Sequence, residues 1–312
     1  MLSFGSYLDY SKHFFKVDGF DENGLPKIVE VSFDGSKCKE RMLKVLFESK
    51  EQIKAVLQVL PGFDGLYSSS TKDVVMDFSL MESSANRLIY FGHHGKIQNL
   101  EYISEFTKLR YLHLDTWKKP LNLSKMGQLI EIIGTHVDFS GFEFSPLANI
   151  RHCRFNTCRN ITNIPLNENT PLQYLHLMWD RDISSFEFIK KVNNLEIISL
   201  FSVSKLEHWP DSSKMTRLRR IYCTDTNRLF DYSGLAKAPN LECIHLGTKG
   251  LKPVHLEPFM QCKSLKYLGY FGTKKDTALV REMFPGVLLA HDRPEDCKSL
   301  GVRFSEDDWV MR

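Results

Sequence analysis

The sequence has no run of roughly 18 apolar residues, so no segment is long and apolar enough to cross a bilayer as a helix. It has no G-x-x-x-x-G-K-[ST] phosphate loop and no G-x-G-x-x-G, H-E-x-x-H or G-x-S-x-G, which removes the signatures of several common nucleotide, zinc-protease and hydrolase sites. Gly247-Thr-Lys-Gly250 is too short to cradle phosphates. The opening MLSFGSYLDYSKHFFKVDGF lacks a basic end, an apolar centre and a small-residue cleavage site, so it does not read as a secretory signal. Cysteine is sparse and odd in number: Cys38, Cys153, Cys158, Cys223, Cys243, Cys262 and Cys297 show no close pairing, as expected of reduced thiols. These absences set a cytoplasmic expectation.

Core-forming residues are not scarce. Across 312 residues, 42% are hydrophobic, 25% charged and 12% aromatic, which excludes wholesale disorder and low-complexity architecture. The net charge of +3 hides a segregation. Residues 87–275 carry 26 Lys and Arg against 17 Asp and Glu, whereas residues 1–80 carry 10 against 12 and residues 276–312 carry 5 against 8. A basic middle would steer an acidic partner towards itself. Nucleic acid is disfavoured, because no dense Lys/Arg cluster occurs.

The middle is also repetitive. LRYLHLDTW at Leu109, LQYLHLMWD at Leu172, LEIISLFSV at Leu195, LRRIYCTDT at Leu218, LECIHLGTK at Leu241 and LKYLGYFGT at Leu265 have apolar residues at their first, fourth and sixth positions. LIEIIGTHV at Leu129 and IRHCRFNTC at Ile150 are weaker copies, and NRLIYFG reads as a degenerate earlier one with Leu88 and Tyr90 inward. A further apolar position follows each of several strands, at Leu121, Ile183, Leu206, Leu229 and Leu251. An L-x-x-L-x-L core spaced by 20–24 residues resembles the leucine-rich-repeat family, most closely its short, irregular internalin and phosphatase-regulator types.

The resemblance covers about residues 87–275 and implies an α/β fold: a leucine-rich-repeat solenoid with a curved parallel β-sheet on its concave face. The asparagine common at the ninth position is missing, replaced by Trp117, Val137, Cys158, Asp180, Val203 and Thr226, so the buried hydrogen-bond ladder must be improvised.

A stack of repeats needs its ends covered. Residues 1–86 read as an N-terminal α+β cap, with strands over 12–34 joined by DENGLP, helices over 37–60 and an irregular stretch over 61–85. Ser49 and Gln52 form a candidate capping box. Residues 276–312 read as a C-terminal helix-strand cap, ending in EDDWVMR as an added strand or a tail.

Strand alternation puts residues three, five and seven of each repeat on the face opposite the core leucines. That face should be polar if idle. It carries Tyr111, His113, Arg154, Tyr174, His176, Met178, Phe201, Arg220, Tyr222, His245, Tyr267 and Phe271, with Trp117 and Trp179 beside it. Tyr, Trp and Arg dominate protein-protein hot spots because they join large buried area to a polar handle. Packing along the strands, or beneath a folded-back terminus, is the structural alternative.

Metal and cofactor sites are not expected. Cys153-x4-Cys158 lacks a second pair, and Cys153 holds an inward position. His113, His176 and His245 are three repeats apart, roughly 14 Å, too far for one ion. His93-His94 falls at a turn in the register. The expected function is a non-catalytic scaffold that clasps a folded protein with an acidic docking surface, for example a bacterial toxin-neutralising immunity protein acting as an inhibitor. A regulatory or targeting subunit of a larger enzyme is the alternative. An enzyme in the N-terminal region would have to use His13, Cys38 and scattered carboxylates.

Overall fold

The computed structural model describes residues 13–31, 40–115, 122–123, 125–140, 148–164, 166–180 and 182–289. The chain divides into two compact units, the first up to Thr135 and the second from His136 onward among the described residues.

In the first unit, β1 (His13–Phe20) and β2 (Pro26–Val31) form an antiparallel hairpin. Its turn is closed by Asp21, whose carboxylate accepts from the N–H groups of Asn23 at 2.9 Å and Leu25 at 2.8 Å. The next segment departs from expectation: RMLKVLF is β3 (Arg41–Phe47), parallel to β1, where a helix was expected. Leu43, Val45 and Phe47 are buried at alternate positions, so the period of two overrides the helical propensity of Lys and Leu.

Helix α1 (Lys50–Val59) follows, and the Gln52 N–H donates to Ser49 Oγ at 3.3 Å while Gln52 Oε1 accepts from the Glu48 N–H at 2.7 Å. Its buried side holds Ile53, Val56 and, just beyond the last turn, Leu60.

Residues 61–85 are more regular than their sequence suggests. They hold β4 (Gly65–Ser70), β5 (Val75–Asp77) and the short α2 (Glu82–Ala85). Then come β6 (Tyr90–His94), β7 (Lys96–Gln98), β8 (Tyr111–Leu114) and β9 (Glu131–Thr135). β5 and β7 pair separately, and the others lie in the order β2-β1-β3-β4-β6-β8-β9, all parallel after the hairpin.

β6 also corrects the sequence register. Phe91 pairs with Leu112 and His93 with Leu114, so Leu88 takes the first repeat position, Phe91 the fourth and His93 the sixth. His93 is therefore a buried strand residue rather than part of a turn. It lies 2.9 Å from Ser68, whose hydroxyl also donates to the Gly92 carbonyl at 3.3 Å. A hydrogen-bonded Ser-His pair fills two positions that leucines hold elsewhere, and the Ser-rich GLYSSS was unreadable as a strand for that reason.

The second unit runs β10 (His152–Asn156), β11 (Tyr174–Met178), β12 (Ile197–Phe201), β13 (Arg220–Thr224), β14 (Cys243–Gly247), β15 (Tyr267–Tyr270) and β16 (Leu288–Leu289), all parallel and in chain order. The register is strict: His152, Tyr174, Ile197, Arg220, Cys243, Tyr267 and Leu288 stand side by side. One position on, Cys153, Leu175, Ile198, Ile221, Ile244, Leu268 and Leu289 form an unbroken buried column. Phe155, Leu177, Leu200, Cys223, Leu246 and Tyr270 form the second. The return path uses short 3₁₀ turns such as Glu187–Lys191 and Pro253–Gln261. α3 (Lys274–Met283), capped by Thr273 and Asp276, precedes β16 as the expected helix-strand element. The segment EDDWVMR lies outside the described residues, as does Leu121.

The ends of β9 to β13 repeat one device. His136, Thr157, Trp179, Ser202 and Asp225 adopt left-handed backbone with φ between 52° and 55°. Each then donates its N–H to the carbonyl ending the next strand, as Trp179 does to Phe201 at 2.8 Å. The ninth position is buried at Val137, Cys158, Asp180, Val203 and Thr226, and its ladder is assembled from what is there. Thr226 and Thr248 hydroxyls meet at 2.8 Å. Asp180 accepts from the N–H groups of Asp182 and Cys158.

Asp180 is only 1% exposed, and among the described residues its Oδ2 has no partner. Burial outweighs the N–H bonds and pushes its carboxyl up to about 6. With the folded pKa above the unfolded one, the stability that this proton contributes is full below about pH 4 and is lost as pH rises through about 6. Asp180→Asn should therefore raise unfolding stability by roughly 2 kcal/mol at neutral pH and by little near pH 4, measured by urea denaturation across that range.

Candidate functional site

In the second unit the third, fifth and seventh positions of β10–β15 share the face opposite the buried columns. The side chains on it do not project singly. Tyr174 stacks on His176 with centroids 6.3 Å apart and planes at 25°, and His152 meets Tyr174 edge-on at 6.5 Å. Tyr222 lies 5.9 Å from His245, which in turn meets Phe271 at 5.2 Å. Trp179 packs edge-on to Phe201 at 6.0 Å.

This interleaving grades the exposure. Tyr222 and Tyr267 are buried, as is His176. Arg154, Tyr174, Met178, Phe201, Arg220 and His245 are half-buried. Trp179 and Phe271 stand out at 41% and 57%. Trp179 does so from a left-handed backbone at φ 52°, a conformation that costs a bulky residue roughly 1–2 kcal/mol.

Burial disfavours the charged form of two histidines on this face. Burial first, and the Arg154 charge second, press His176 down to about 3, and its Nδ1 lies 3.0 Å from Ser199 Oγ. Burial also lowers His245. Gly269 makes room for that ring, since a Cβ there would come within 2.4 Å of His245 Nδ1. The face is thus a layer of phenol, phenyl and imidazole rings with two guanidinium groups and two prominent apolar side chains.

In the first unit the same face of β4, β6 and β8 carries Tyr67, Tyr90, His94, Tyr111, His113 and Asp115. Met42, Tyr90 and Tyr111 pack into a buried cluster against Tyr67, so Tyr111 is covered. His113 is covered too. His94 Nδ1 lies 2.6 Å from Asp115 Oδ1, its Nε2 lies 2.7 Å from Tyr67 Oη, and its ring meets that of His113 at 4.5 Å. Sequence reading missed this cluster because it set His94 at a turn. Aligning YFGHH of β6 with YLHLD of β8 would have found it, since His94 then stands level with Asp115. Trp117, Cys38 and the side chain of His13 lie outside the described residues.

Strict parallel register, a two-column apolar core and returns by 3₁₀ turns define a leucine-rich-repeat solenoid of the α/β class. Among solved structures the chain is similar to an internalin (InlF) from Listeria monocytogenes, at 14% identity over 81% of this chain and 83% of that one, with a TM-score of 0.48. It is also similar to a leucine-rich-repeat protein of Leptospira interrogans, at 13% identity over 80% and 89% of the two chains, with a TM-score of 0.33. No family model matches the chain, and neither does any curated protein sequence. Among the described residues no helix is long and apolar enough to cross a membrane.

The close fit at Gly269 has a measurable cost. Gly269→Ala should lower stability by about 1–3 kcal/mol in a denaturant titration, because the His245 ring must move against Phe271 and Tyr222. Gly247→Ala, whose nearest neighbour would be a Thr224 methyl at 3.1 Å, should cost less.

Proposed function

We propose that this chain is a non-catalytic scaffold that binds a folded protein through the ring-covered face of β10–β15, with Trp179, Phe201 and Phe271 as apolar anchors and Arg154 and Arg220 as polar ones. Leucine-rich-repeat folds generally serve as protein-interaction scaffolds, presenting a run of adjacent strands as one extended surface. The observation that carries the reading is Trp179: a large ring kept 41% exposed on strained backbone, beside a half-buried phenylalanine, costs stability and does nothing for the core.

The buried members of the face, His176, Tyr222 and Tyr267, act in this reading as a rigid underlayer that sets the rotamers above them, whereas Tyr111 and His113 belong to the first unit and lie outside this face. The arginines and the basic composition of residues 87–275 favour a partner with an acidic docking surface. Within this class the reading is a cytoplasmic immunity protein that neutralises a toxin by occlusion. A regulatory subunit that leaves its enzyme active is the second reading.

The test compares wild type with Tyr174→Ala/Trp179→Asn/Phe201→Ala. Asn tolerates left-handed backbone, so the triple variant should unfold close to wild type. A stoichiometric partner, recovered from native lysate and then purified, should bind the variant at least tenfold more weakly by calorimetry. Loss of the partner's activity on binding supports immunity; retained activity with altered substrate choice supports the regulatory role. Equal affinity for both proteins would remove this face from the site. Leu175→Ala, in contrast, should cost about 2–5 kcal/mol of folding free energy.

A further inference from the structure

The Tyr67-His94-His113-Asp115 cluster has a chemistry that protein docking does not use. One ligand atom from each of His94, His113 and Asp115 lies within 4.8 Å of the other two. In a tetrahedral zinc site, with bonds of roughly 2.0–2.2 Å, ligand atoms stand about 3.3 Å apart, so small side-chain rotations bring these three onto one ion.

The strands hold the donors in place from opposite sides. Ladder register sets Gly92 between Tyr67 and His113, and His94 level with Asp115. Gly92 keeps the space open: a Cβ there would come within 2.8 Å of Tyr67 Cδ2 and 2.6 Å of Tyr90 Oη. Tyr67 Oη, 2.7 Å from His94 Nε2, turns the ring so that Nδ1 faces the carboxylate. Metal-bound histidines are oriented in this way, by a hydrogen bond to the nitrogen that does not bind.

We propose that His94 Nδ1, a ring nitrogen of His113 and the Asp115 carboxylate form a mononuclear site for a divalent first-row transition ion of the zinc class, with Tyr67 as the positioning residue for His94. Two imidazoles and one carboxylate suit that class; calcium and magnesium call for six or more oxygen ligands. On binding, the ion displaces the proton that His94 Nδ1 shares with Asp115 Oδ1, the neutral imidazole takes up a proton at Nε2 so that no net proton is released by this residue, and Nε2–H then donates to Tyr67 Oη. The side chains of His94 and Asp115 are 19% and 33% exposed, so a fourth position is open to water or to a donor from another molecule.

The experiment uses the full chain, freed of metal by a chelator and titrated near neutral pH with zinc chloride by calorimetry, then with cobalt(II) read by its visible ligand-field bands. One equivalent should bind, with tetrahedral-strength cobalt bands and a raised melting temperature. Asp115→Asn and His94→Gln, near-isosteric and at the half-exposed rim, should lose at least tenfold in affinity, together with the cobalt spectrum. Tyr67→Phe should weaken binding about tenfold but keep the spectrum. His208→Ala tests the exposed His208-Asp231 pair, 3.3 Å apart, and should change nothing. The proposal is overturned if wild type takes up no zinc at micromolar concentration, if Asp115→Asn binds as wild type does, or if His208→Ala abolishes binding. None of these outcomes bears on the docking face of β10–β15.

Discussion

Parallel backbone pairing at a fixed offset is the constraint on which the rest of this molecule depends. A parallel strand satisfies its N–H and C=O groups only through neighbours on both sides, so each strand of the second unit needs the one before and the one after it. Offsets of 22 to 24 residues between β10 and β15 keep every inward position beside another inward position. Two buried columns result, and a change of one residue in any offset would turn a whole strand's core side chains to the other face.

Holding that offset puts demands on the turns. A left-handed residue closes five of the strands, and its N–H extends the ladder by one more bond. Glycine or asparagine would adopt this backbone most cheaply, yet His136, Thr157, Trp179, Ser202 and Asp225 occupy it. The ninth position behind it is equally improvised, with Thr226 paired to Thr248 and Asp180 reaching back to Cys158. The repeat therefore tolerates side chains that fit it imperfectly, because the backbone bonds on either side over-determine the conformation. That tolerance lets a ring such as Trp179 be presented where a glycine would be more stable.

The reading of individual residues succeeded where burial is simple. Leu175, Leu177, Ile198 and Leu200 alternate with polar or aromatic neighbours, and their placement follows from period two alone. β3 failed because Lys and Leu favour a helix locally, and the alternation of Leu43, Val45 and Phe47 prevails only once β1 and β4 stand on either side. β4 failed because Ser68 is stable in a core only once His93 stands opposite it, and the two are 25 residues apart. The same shift of register hid His94 and Asp115 from each other.

What the sequence determined by itself is the repeat: its period, its inward columns and the six chemically uniform strands of the second unit, since these depend on local alternation and on apolar area alone. Only the tertiary structure decided which outward rings are spent on one another and which face solvent. It also decided that Tyr67, His94, His113 and Asp115 meet. Outward side chains are selected by cross-strand neighbours about 5 Å away and some twenty residues distant in sequence, and no local pattern encodes that pairing.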